Sequence, residues 1–254
     1  MKIVVCIKRV PEAAEAILRI DASGKKLVED TLTFGINETD NYALEEALLV
    51  KERLGGTVTL VTVGPEAADE VLRMGLAKGA DDGLRITPPE GEELDPFATA
   101  CLLAREIPPL APDLVLTGCV AADDGSAQVG VSLAELLHMP HLSLVVAMEV
   151  GADGQVLARR ELEGGLQGEF TLHLPALFTV QSGINQPRYA SILGIKRASA
   201  KPIKVVQSSA ADSVMWETRA LAFPTAEKKA EILHGTPNEV AEQLVSLLKG
   251  RALL

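Results

Sequence analysis

The fold class follows from residues 57–86, TVTLVTVGPEAADEVLRMGLAKGADDGLRI. The first seven residues are apolar or β-branched, which is typical of a strand buried on both faces of a parallel sheet. Gly64-Pro65 ends this strand, and Val71, Leu72 and Leu76 then share one face of a helix that ends at Gly79. Because Gly83–Ile86 has the composition of another strand, the stretch predicts a strand–helix–strand unit with parallel strands.

The same alternation of strands and helices surrounds this unit. Strands are predicted at Lys2–Lys8 and Asp113–Thr117, and helices at Tyr42–Leu54, Asp95–Ile107 and Ser126–Leu137. Asn37 is a favoured N-cap residue, so we expect the first helix to begin there. The alternation predicts an α/β fold with a largely parallel, doubly wound sheet that has helices on both faces.

After residue 142 the pattern changes. Strands are predicted at Leu144–Val150, Gln155–Leu162, Glu169–Leu174 and Ala176–Val180, with no long helix between them. We expect these strands to form an antiparallel meander joined to the parallel sheet. Residues 182–202 are mixed in character, and residues beyond 208 lose periodicity until Thr236–Glu239, a capping box that opens a last helix. We therefore predict a body at residues 1–205 and an extended C-terminal arm at residues 206–254.

Composition excludes several classes of protein. The chain has 254 residues, a net charge of −11 and 3% aromatic residues, which argues against coating nucleic acid. No apolar run approaches the roughly 18–20 residues of a membrane helix, so we expect no insertion into a membrane. The three cysteines have no CxxC spacing, and the N-terminus resembles a strand rather than a signal peptide. These features predict a cytoplasmic protein, or one written without its presequence.

The common catalytic and metal-binding motifs are missing from the sequence. It contains no GxGxxG after the first strand, no GxxxxGK[ST] and no GxSxG. His138 and His141 lie three residues apart without a third ligand nearby, which favours a polar turn over a metal site. We therefore expect no catalytic residues, no metal ion and no enzyme activity residing in this chain alone.

Three segments are candidates for binding a ligand at the carboxyl ends of the strands. In Gly118–Gly130, small residues near a helix start would let a phosphate approach backbone N–H groups. The alternative for this loop is a solvated connection, and Asp123-Asp124 would repel a phosphate. Asn37–Asp40 also lies at a helix start, where plain N-capping is the alternative. Val61–Pro65 is the third candidate, because its strand ends in Gly-Pro.

Several stretches, in order along the chain, resemble the β subunit of electron transfer flavoprotein. They are KIVVCIKRV (2–10), INETDNYALEEALLVKE (36–52), VTVGPE (61–66), RMGLAKGADDGLRI (73–86), ADDGSAQVG (122–130), ELEGGLQ (161–167), LPALFTV (174–180) and INQPRYASILGIKRASAK (184–201). PRYASILGI is the most specific of these stretches. The resemblance covers nearly the whole chain and implies an adenine-nucleotide-hydrolase-like fold.

The resemblance implies a non-catalytic subunit that carries electrons. It would form a heterodimer with a larger α subunit that holds most of a redox FAD, while the β subunit holds a structural AMP. The pair would pass electrons from flavin dehydrogenases, typically the acyl-CoA dehydrogenases of fatty acid oxidation, to a membrane quinone reductase. The AMP contacts implied for this sequence are Cys6, Asn37, Glu38, Thr39, Asp40, Val63, Asp123, Asp124, Gly125, Ser126, Ala127, Gln128, Val129, Gly130, Val131, Ser132, Leu133 and Ala134.

The resemblance also implies a partner-recognition loop at about residues 183–200 and contact between the arm and the α subunit. The loop residues implied to meet a partner are Tyr189, Ile192, Leu193, Ile195, Lys196 and Arg197, and Arg188 would join Lys196 and Arg197 in a basic rim. The family has a leucine anchor where this chain has Ile192, with Leu193 beside it. The family often has Asn-Pro-Phe where this chain has Asn37-Glu38-Thr39. The family usually has an acid where this chain has Gln167, so the resemblance does not assign to Gln167 the contact that this acid makes with the flavin domain.

Two other functions remain open from the sequence. In a flavin-bifurcating form, the β-subunit pocket would hold a second FAD instead of AMP and act on NADH, and the string Ala-Gln-Val-Gly occurs in such forms. A stand-alone adenine-nucleotide sensor resembling universal stress proteins is the third possibility. The long arm and the PRY loop argue against a sensor of that kind.

Overall fold

A computed structural model describes residues 1–13, 16–89, 94–208, 214–224 and 230–254. Its strands are β1 Lys2–Cys6, β2 Arg9–Pro11, β3 Phe34–Ile36, β4 Thr57–Val63, β5 Asp82–Thr87, β6 Leu114–Gly118, β7 His141–Val150, β8 Gln155–Glu161, β9 Gln167–His173, β10 Ala176–Val180 and β11 Ile203–Gln207. Its helices are α1 Glu38–Leu54, α2 Asp69–Lys78, α3 Pro96–Glu106, α4 Val129–Leu136, α5 Ile192–Ala200 and α6 Pro237–Gly250.

Within the described residues, nine strands form one sheet in the order β11-β5-β4-β1-β6-β10-β7-β8-β9. The strands from β11 to β7 are parallel, whereas β8 and β9 are added antiparallel at one edge. The strands β2 and β3 form a separate antiparallel pair. The predicted class is confirmed: a largely parallel, doubly wound α/β sheet with added antiparallel strands.

The side chains of β1 point alternately to the two faces of the sheet, and each face packs against a hydrophobic core. Ile3 and Val5 pack in one apolar cluster with residues of α1 and α2, and Val4 and Cys6 pack in the other with residues of α3 and α4. Successive side chains of a strand point to opposite faces, so a strand with helices on both sides is apolar or β-branched at most positions. This requirement explains the runs of apolar and β-branched residues in the sequence.

The strand β10 corrects the predicted meander. It does not follow β9 as its antiparallel neighbour but lies parallel between β6 and β7. All five of its residues are buried, which an edge position would not allow. The chain thus returns from the antiparallel edge to the centre of the sheet, where the run Ala176–Val180 can be covered on both faces.

The helix predicted from Ser126 begins later than expected. The structure starts α4 at Val129, with Gln128 as the N-cap residue. Ala127 has a φ of 54°, in the left-handed region, and Gly125 has a φ of 64°. A right-handed helix cannot pass through such residues, so 121–128 form a loop that turns sharply before α4.

The chain divides into two units, Met1–Arg219 and Ala220–Leu254. The second unit contains α6, which begins with the predicted capping box, since the backbone N–H of Thr236 donates to the Glu239 carboxylate at 2.7 Å. The start of the predicted arm includes residues 209–213, which lie outside the described residues. None of the helices in the described ranges has the length and hydropathy needed to span a membrane.

Candidate functional site

A cavity of about 250 Å³ lies at the carboxyl ends of β1, β4 and β6. Its walls come from Cys6 at the end of β1, Lys8 after β1, Thr62 and Val63 of β4, and the loop that follows β6. The starts of α1, α3 and α4 complete the wall. In open α/β sheets, this edge is where ligands bind, because the helix N-termini and the loops converge there.

Asn37 joins the start of α1 to the loop after β6. Its amide donates to the carbonyl of Val120 at 2.9 Å and accepts from the N–H of Ala122 at 3.1 Å. The hydroxyl of Thr39 also donates to the carbonyl of Val120, at 2.7 Å. Asn37 holds the N-cap position as predicted, but its side chain does not cap the helix. The Asn side chain instead shapes the loop of the cavity.

Asp40 is a buried carboxylate in the cavity wall. It accepts from the backbone N–H groups of Lys8 at 2.7 Å and Gly118 at 2.9 Å, and thereby ties β1 and β6 to α1. Burial raises the pKa of Asp40 to about 7, although these hydrogen bonds and the charge of Lys8 oppose the rise. Asp40 therefore titrates near neutral pH.

Lys8 is the one cation among the described residues that line the cavity. Its ammonium group contacts carboxylate oxygens of Asp123 and Asp124, each at 2.7 Å. Burial lowers the pKa of Lys8, but the hydrogen bonds and charges of the two carboxylates outweigh it, so the pKa is raised overall. This pairing reduces the expected repulsion, because Lys8 contacts both carboxylates and offsets one of their two negative charges.

The start of α4 presents donors to the cavity. The backbone N–H groups of Gln128, Val129 and Gly130 make no hydrogen bond within the described part of the chain. All three residues line the cavity, together with Ser126 and Ala127. Unpaired N–H groups at a helix start carry partial positive charge and form a ready site for an anion.

Gly130 permits this arrangement in a way that the sequence does not reveal. A Cβ atom added there would lie 2.6 Å from Oγ1 of Thr117 and 2.6 Å from Cγ2 of Thr179. The glycine therefore allows α4 to approach the ends of β6 and β10, and a larger side chain would disturb this packing rather than enter the cavity.

The structure brings most of the predicted nucleotide contacts together. Those that line the cavity are Cys6, Asn37, Asp40, Val63, Asp124, Ser126, Ala127, Gln128, Val129 and Gly130. The predicted residues outside the cavity lining are Glu38, Thr39, Asp123, Gly125, Val131, Ser132, Leu133 and Ala134. Leu133 and Ala134 face the core between the sheet and its helices, and Thr39 and Asp123 act through the hydrogen bonds described above.

Sequence reasoning missed one wall of the cavity. Leu94 and Asp95 line it before α3, Pro96 lines it at the first position of α3, and Trp216 lines it from the segment assigned to the arm. The carboxylate of buried Asp95 caps α3 by accepting from Ala98 N–H at 2.7 Å, and it also accepts from the N–H of Met215. An acid before a proline was a visible N-cap signal, but no sequence pattern linked it to Trp216.

The surroundings of the two cysteines of the cavity, Cys6 and Cys119, favour the protonated thiol. Burial, with a smaller contribution from Asp40, raises the pKa of Cys6 far above its usual range, and burial also raises the pKa of Cys119. A thiol is nucleophilic as its thiolate, so neither residue suits covalent chemistry. In the described residues no group of three potential metal ligands occurs.

The predicted recognition loop presents apolar side chains to solvent. Tyr189 is 98% exposed and Ile192 88% exposed, and Leu193 and Ile195 are exposed as well. Lys196 and Arg197 follow on α5, which Ser191 caps by accepting from the N–H of Gly194. Arg188 is different from the expected rim residue, because its guanidinium lies against Glu45 and Glu52 of α1.

Comparisons with known proteins agree with this architecture. Residues 25–211 match the sequence profile of the electron transfer flavoprotein domain. The chain is 35% identical to the electron transfer flavoprotein subunit beta of Methylophilus methylotrophus, over 98% of both chains. It is 36% identical to the subunit of the same name from Bacillus subtilis, over 99% of both chains. It is also 33% identical, over 100% of both chains, to the Caffeyl-CoA reductase-Etf complex subunit CarD of Acetobacterium woodii.

The family match covers most of the chain, and these relatives are similar to it from end to end. The parallel sheet and the loop before α4 belong to the stretches on which the resemblance rested. The chain therefore belongs to the electron transfer flavoprotein family, as a relative of its β subunits.

Proposed function

We propose that this chain is the β subunit of a heterodimeric electron transfer flavoprotein and holds AMP in the cavity described above. The heterodimer accepts electrons from flavin dehydrogenases, such as acyl-CoA dehydrogenases, and delivers them to the respiratory chain through a quinone reductase. The FAD that carries the electrons lies mainly on the α subunit. The observation that supports AMP binding is the set of unpaired N–H groups of residues 128–130 at the cavity wall.

The phosphate of AMP has a suitable place at the start of α4. The N–H groups of Gln128, Val129 and Gly130 can donate to its oxygens, and the hydroxyl of Ser126 lies beside them in the cavity wall. The helix dipole adds about 0.3–1 kcal/mol for an anion at this end. Lys8 offsets part of the negative charge of Asp123 and Asp124 next to this place.

The chemistry of the cavity supports a binding role rather than a catalytic one. Its ionisable groups are paired or buried: Lys8 with Asp123 and Asp124, Asp40 with two backbone N–H groups, and Cys6 as a protonated thiol. Such groups position a ligand and tune its surroundings, while the cofactor supplies the redox chemistry. This division of roles supports the proposed assignment as an electron-carrier subunit.

The remaining assignments concern partners. Exposed Tyr189, Ile192, Leu193 and Ile195 would contact the donor dehydrogenase, with Lys196 and Arg197 at the rim. The C-terminal arm, from about residue 206, would contact the α subunit. We place the complex in the cytoplasm, where it meets its donors.

One relative supports a second candidate function for this chain. The similar Acetobacterium woodii protein is named as a subunit of a caffeyl-CoA reductase complex. The corresponding proposal is that the cavity of this chain holds a second FAD and acts on NADH. Counting the nucleotides released from the purified heterodimer separates the two: one FAD with one AMP supports the carrier, and two FAD without AMP support the second function.

Ser126→Asp tests the position of the phosphate. A carboxylate at residue 126 would compete for the N–H groups of α4 and repel the phosphate, so we expect at least a tenfold loss of AMP affinity, about 1.4 kcal/mol. Ser126→Ala is the matched control and should retain AMP to within a few-fold, because it removes only one hydroxyl. Chromatography of released nucleotide and calorimetric titration with AMP are the measurements. Undiminished AMP in Ser126→Asp would place the phosphate elsewhere.

A further inference from the structure

Arg188 is bound to α1 by an unusually complete set of contacts. Its Nε donates to both carboxylate oxygens of Glu45, at 3.0 and 3.1 Å, and its Nη2 donates to Oε1 of Glu45 at 2.9 Å. Its backbone N–H also donates to Oε2 of Glu45, at 3.0 Å, and Nη1 pairs with Glu52. The side chain and the backbone of one residue thus share a single carboxylate.

Glu45 gives this contact its specificity. Its side chain is only 6% exposed, and a buried carboxylate requires a partner that satisfies its oxygens. A guanidinium matches a carboxylate with two parallel donors, whereas an ammonium group offers a point charge. The position of Arg188 is therefore fixed by geometry as well as by charge.

A neighbouring residue repeats the attachment. The amide of Asn185 donates to the carbonyl of Tyr42 at 3.1 Å and to the carboxylate of Glu46 at 3.0 Å. We call the contacts of Asn185 and Arg188 with Tyr42, Glu45, Glu46 and Glu52 the α1 clamp. The clamp fixes the chain immediately before residues 189–195, which we call the docking segment and in which all residues except Ala190 and Gly194 are exposed.

The other end of the docking segment is fixed by α2. The guanidinium of Arg73 donates to two backbone carbonyls that follow the docking segment. These are the carbonyl of Ala198, at 2.6 Å, and the carbonyl of Lys201. Gly194 lies so close to α2 that a Cβ atom added there would collide with the carbonyl of Ala77. The segment between these attachments still exposes 98% of Tyr189 and 88% of Ile192.

We infer that Arg188 is a positioning residue for docking: through Glu45 it holds the docking segment in the conformation that the donor dehydrogenase contacts, and it does not act as a rim charge. This inference rests on the proposed function. A segment that is already ordered loses less conformational freedom on binding. Pre-organisation therefore raises the affinity for a partner without any additional intermolecular contact. In the clamp, the positive charge of Arg188 is also offset by the carboxylates of Glu45 and Glu52. Arg188 therefore contributes little to the long-range electrostatic attraction of a partner.

Four variants of the heterodimer distinguish positioning from charge. Arg188→Lys keeps the positive charge but loses the bidentate geometry, and Glu45→Gln removes a negative charge while weakening the clamp. If the clamp positions the segment, both should raise the KM for the carrier in dehydrogenase turnover by roughly tenfold, with kcat unchanged and with the effect persisting at high salt. Arg188→Gln should do the same. Lys25→Gln, at an exposed lysine outside the clamp, is the charge control and should not change KM.

Amide hydrogen exchange of residues 189–195 provides a readout that needs no donor. Faster exchange in Arg188→Lys and Glu45→Gln, with unchanged exchange in the sheet, is expected. If exchange stays at the wild-type rate in both variants, the clamp does not order the segment and the inference fails. If exchange rises while KM stays constant, the segment is released without consequence and the positioning role is refuted. A wild-type heterodimer that accepts no electrons from the dehydrogenase would refute the proposed function, and the exchange rates would still decide whether the clamp orders the segment.

Discussion

Asp40 shows how a single buried group can make stability depend on pH. Its pKa is raised from 3.8 to about 7 in the folded chain, mainly by burial. Between these two values the folded state holds a proton that the unfolded state has released, so stability falls as pH rises through this window. A shift of about three pKa units corresponds to about 4 kcal/mol at most. This contribution of Asp40 to the free energy of unfolding is fully present below pH 4 and is lost above pH 7.

Asp40→Asn tests this dependence, because an amide does not titrate. We expect the free energy of unfolding of the wild type, minus that of the variant, to fall by a few kcal/mol from pH 4 to pH 8. Denaturant midpoints of both proteins across this range are the measurement, and their difference cancels the titration of other groups. A difference that is independent of pH would show that folding does not raise the pKa of Asp40.

Individual residues also show what sequence reasoning could not find. Asn37 was correctly placed at a helix start, but the partners of its side chain, Val120 and Ala122, are more than eighty residues away in the chain. Arg188 was predicted to be a free charge, since nothing local indicates that Glu45 is buried against it. Hydrogen bonds of polar side chains depend on tertiary contacts, and periodicity carries no information about them.

At the scale of elements, most of the fold could be predicted. The buried strands β1, β4 and β6 consist mainly of apolar and β-branched residues, and the helices between them have regular apolar faces, so their type and order followed from the sequence. The position of β10 could not be predicted in the same way, because its sequence fits any strand buried on both faces. The late start of α4 depends on the backbone of Ala127, which has no sequence signal comparable to a glycine.

The start of α5 carries the expected anchor, and Ile192→Ala tests it. Ile192 is 88% exposed, so truncation should leave folding stability and nucleotide content close to wild type. Burial of this side chain in a donor pocket would supply roughly 1.5–3 kcal/mol, so the variant should slow electron uptake at limiting carrier concentration by about tenfold or more.

Ile17→Ala is the matched control for this experiment, because Ile17 is 83% exposed and lies outside the docking segment. It should leave uptake unchanged. Leu193→Ala, at 54% exposure, shows whether the neighbouring residue shares the role. If neither Ile192→Ala nor Leu193→Ala slows uptake, the anchor lies elsewhere on the surface.

At the scale of the whole molecule, none of the described residues of the second unit, 220–224 and 230–254, is buried. The helix α6 has an apolar side but no buried residue. Leu244, Val245 and Leu247 are each exposed by more than a third, as are Leu221 and Phe223 earlier in the unit. An amphipathic helix of 14 residues is marginally stable alone and gains stability by burying its apolar face. A partner subunit is the expected cover for these residues.

The division at Arg219 allows a sharper truncation than the composition of the sequence suggested. Removing residues 220–254 deletes the second unit but keeps Met215, bound to Asp95, and Trp216 in the cavity wall. If the second unit contacts the α subunit, this truncation should leave the sheet folded and AMP bound while it weakens the heterodimer by at least a hundredfold, since a large apolar interface is lost.

A longer truncation of residues 209–254 also removes Trp216 and should lose AMP affinity in addition. Sedimentation of the mixed subunits measures association, and nucleotide content separates the two truncations. A heterodimer of undiminished affinity after removal of 220–254 would show that the α subunit binds the body instead, and that the exposed face of α6 serves another contact.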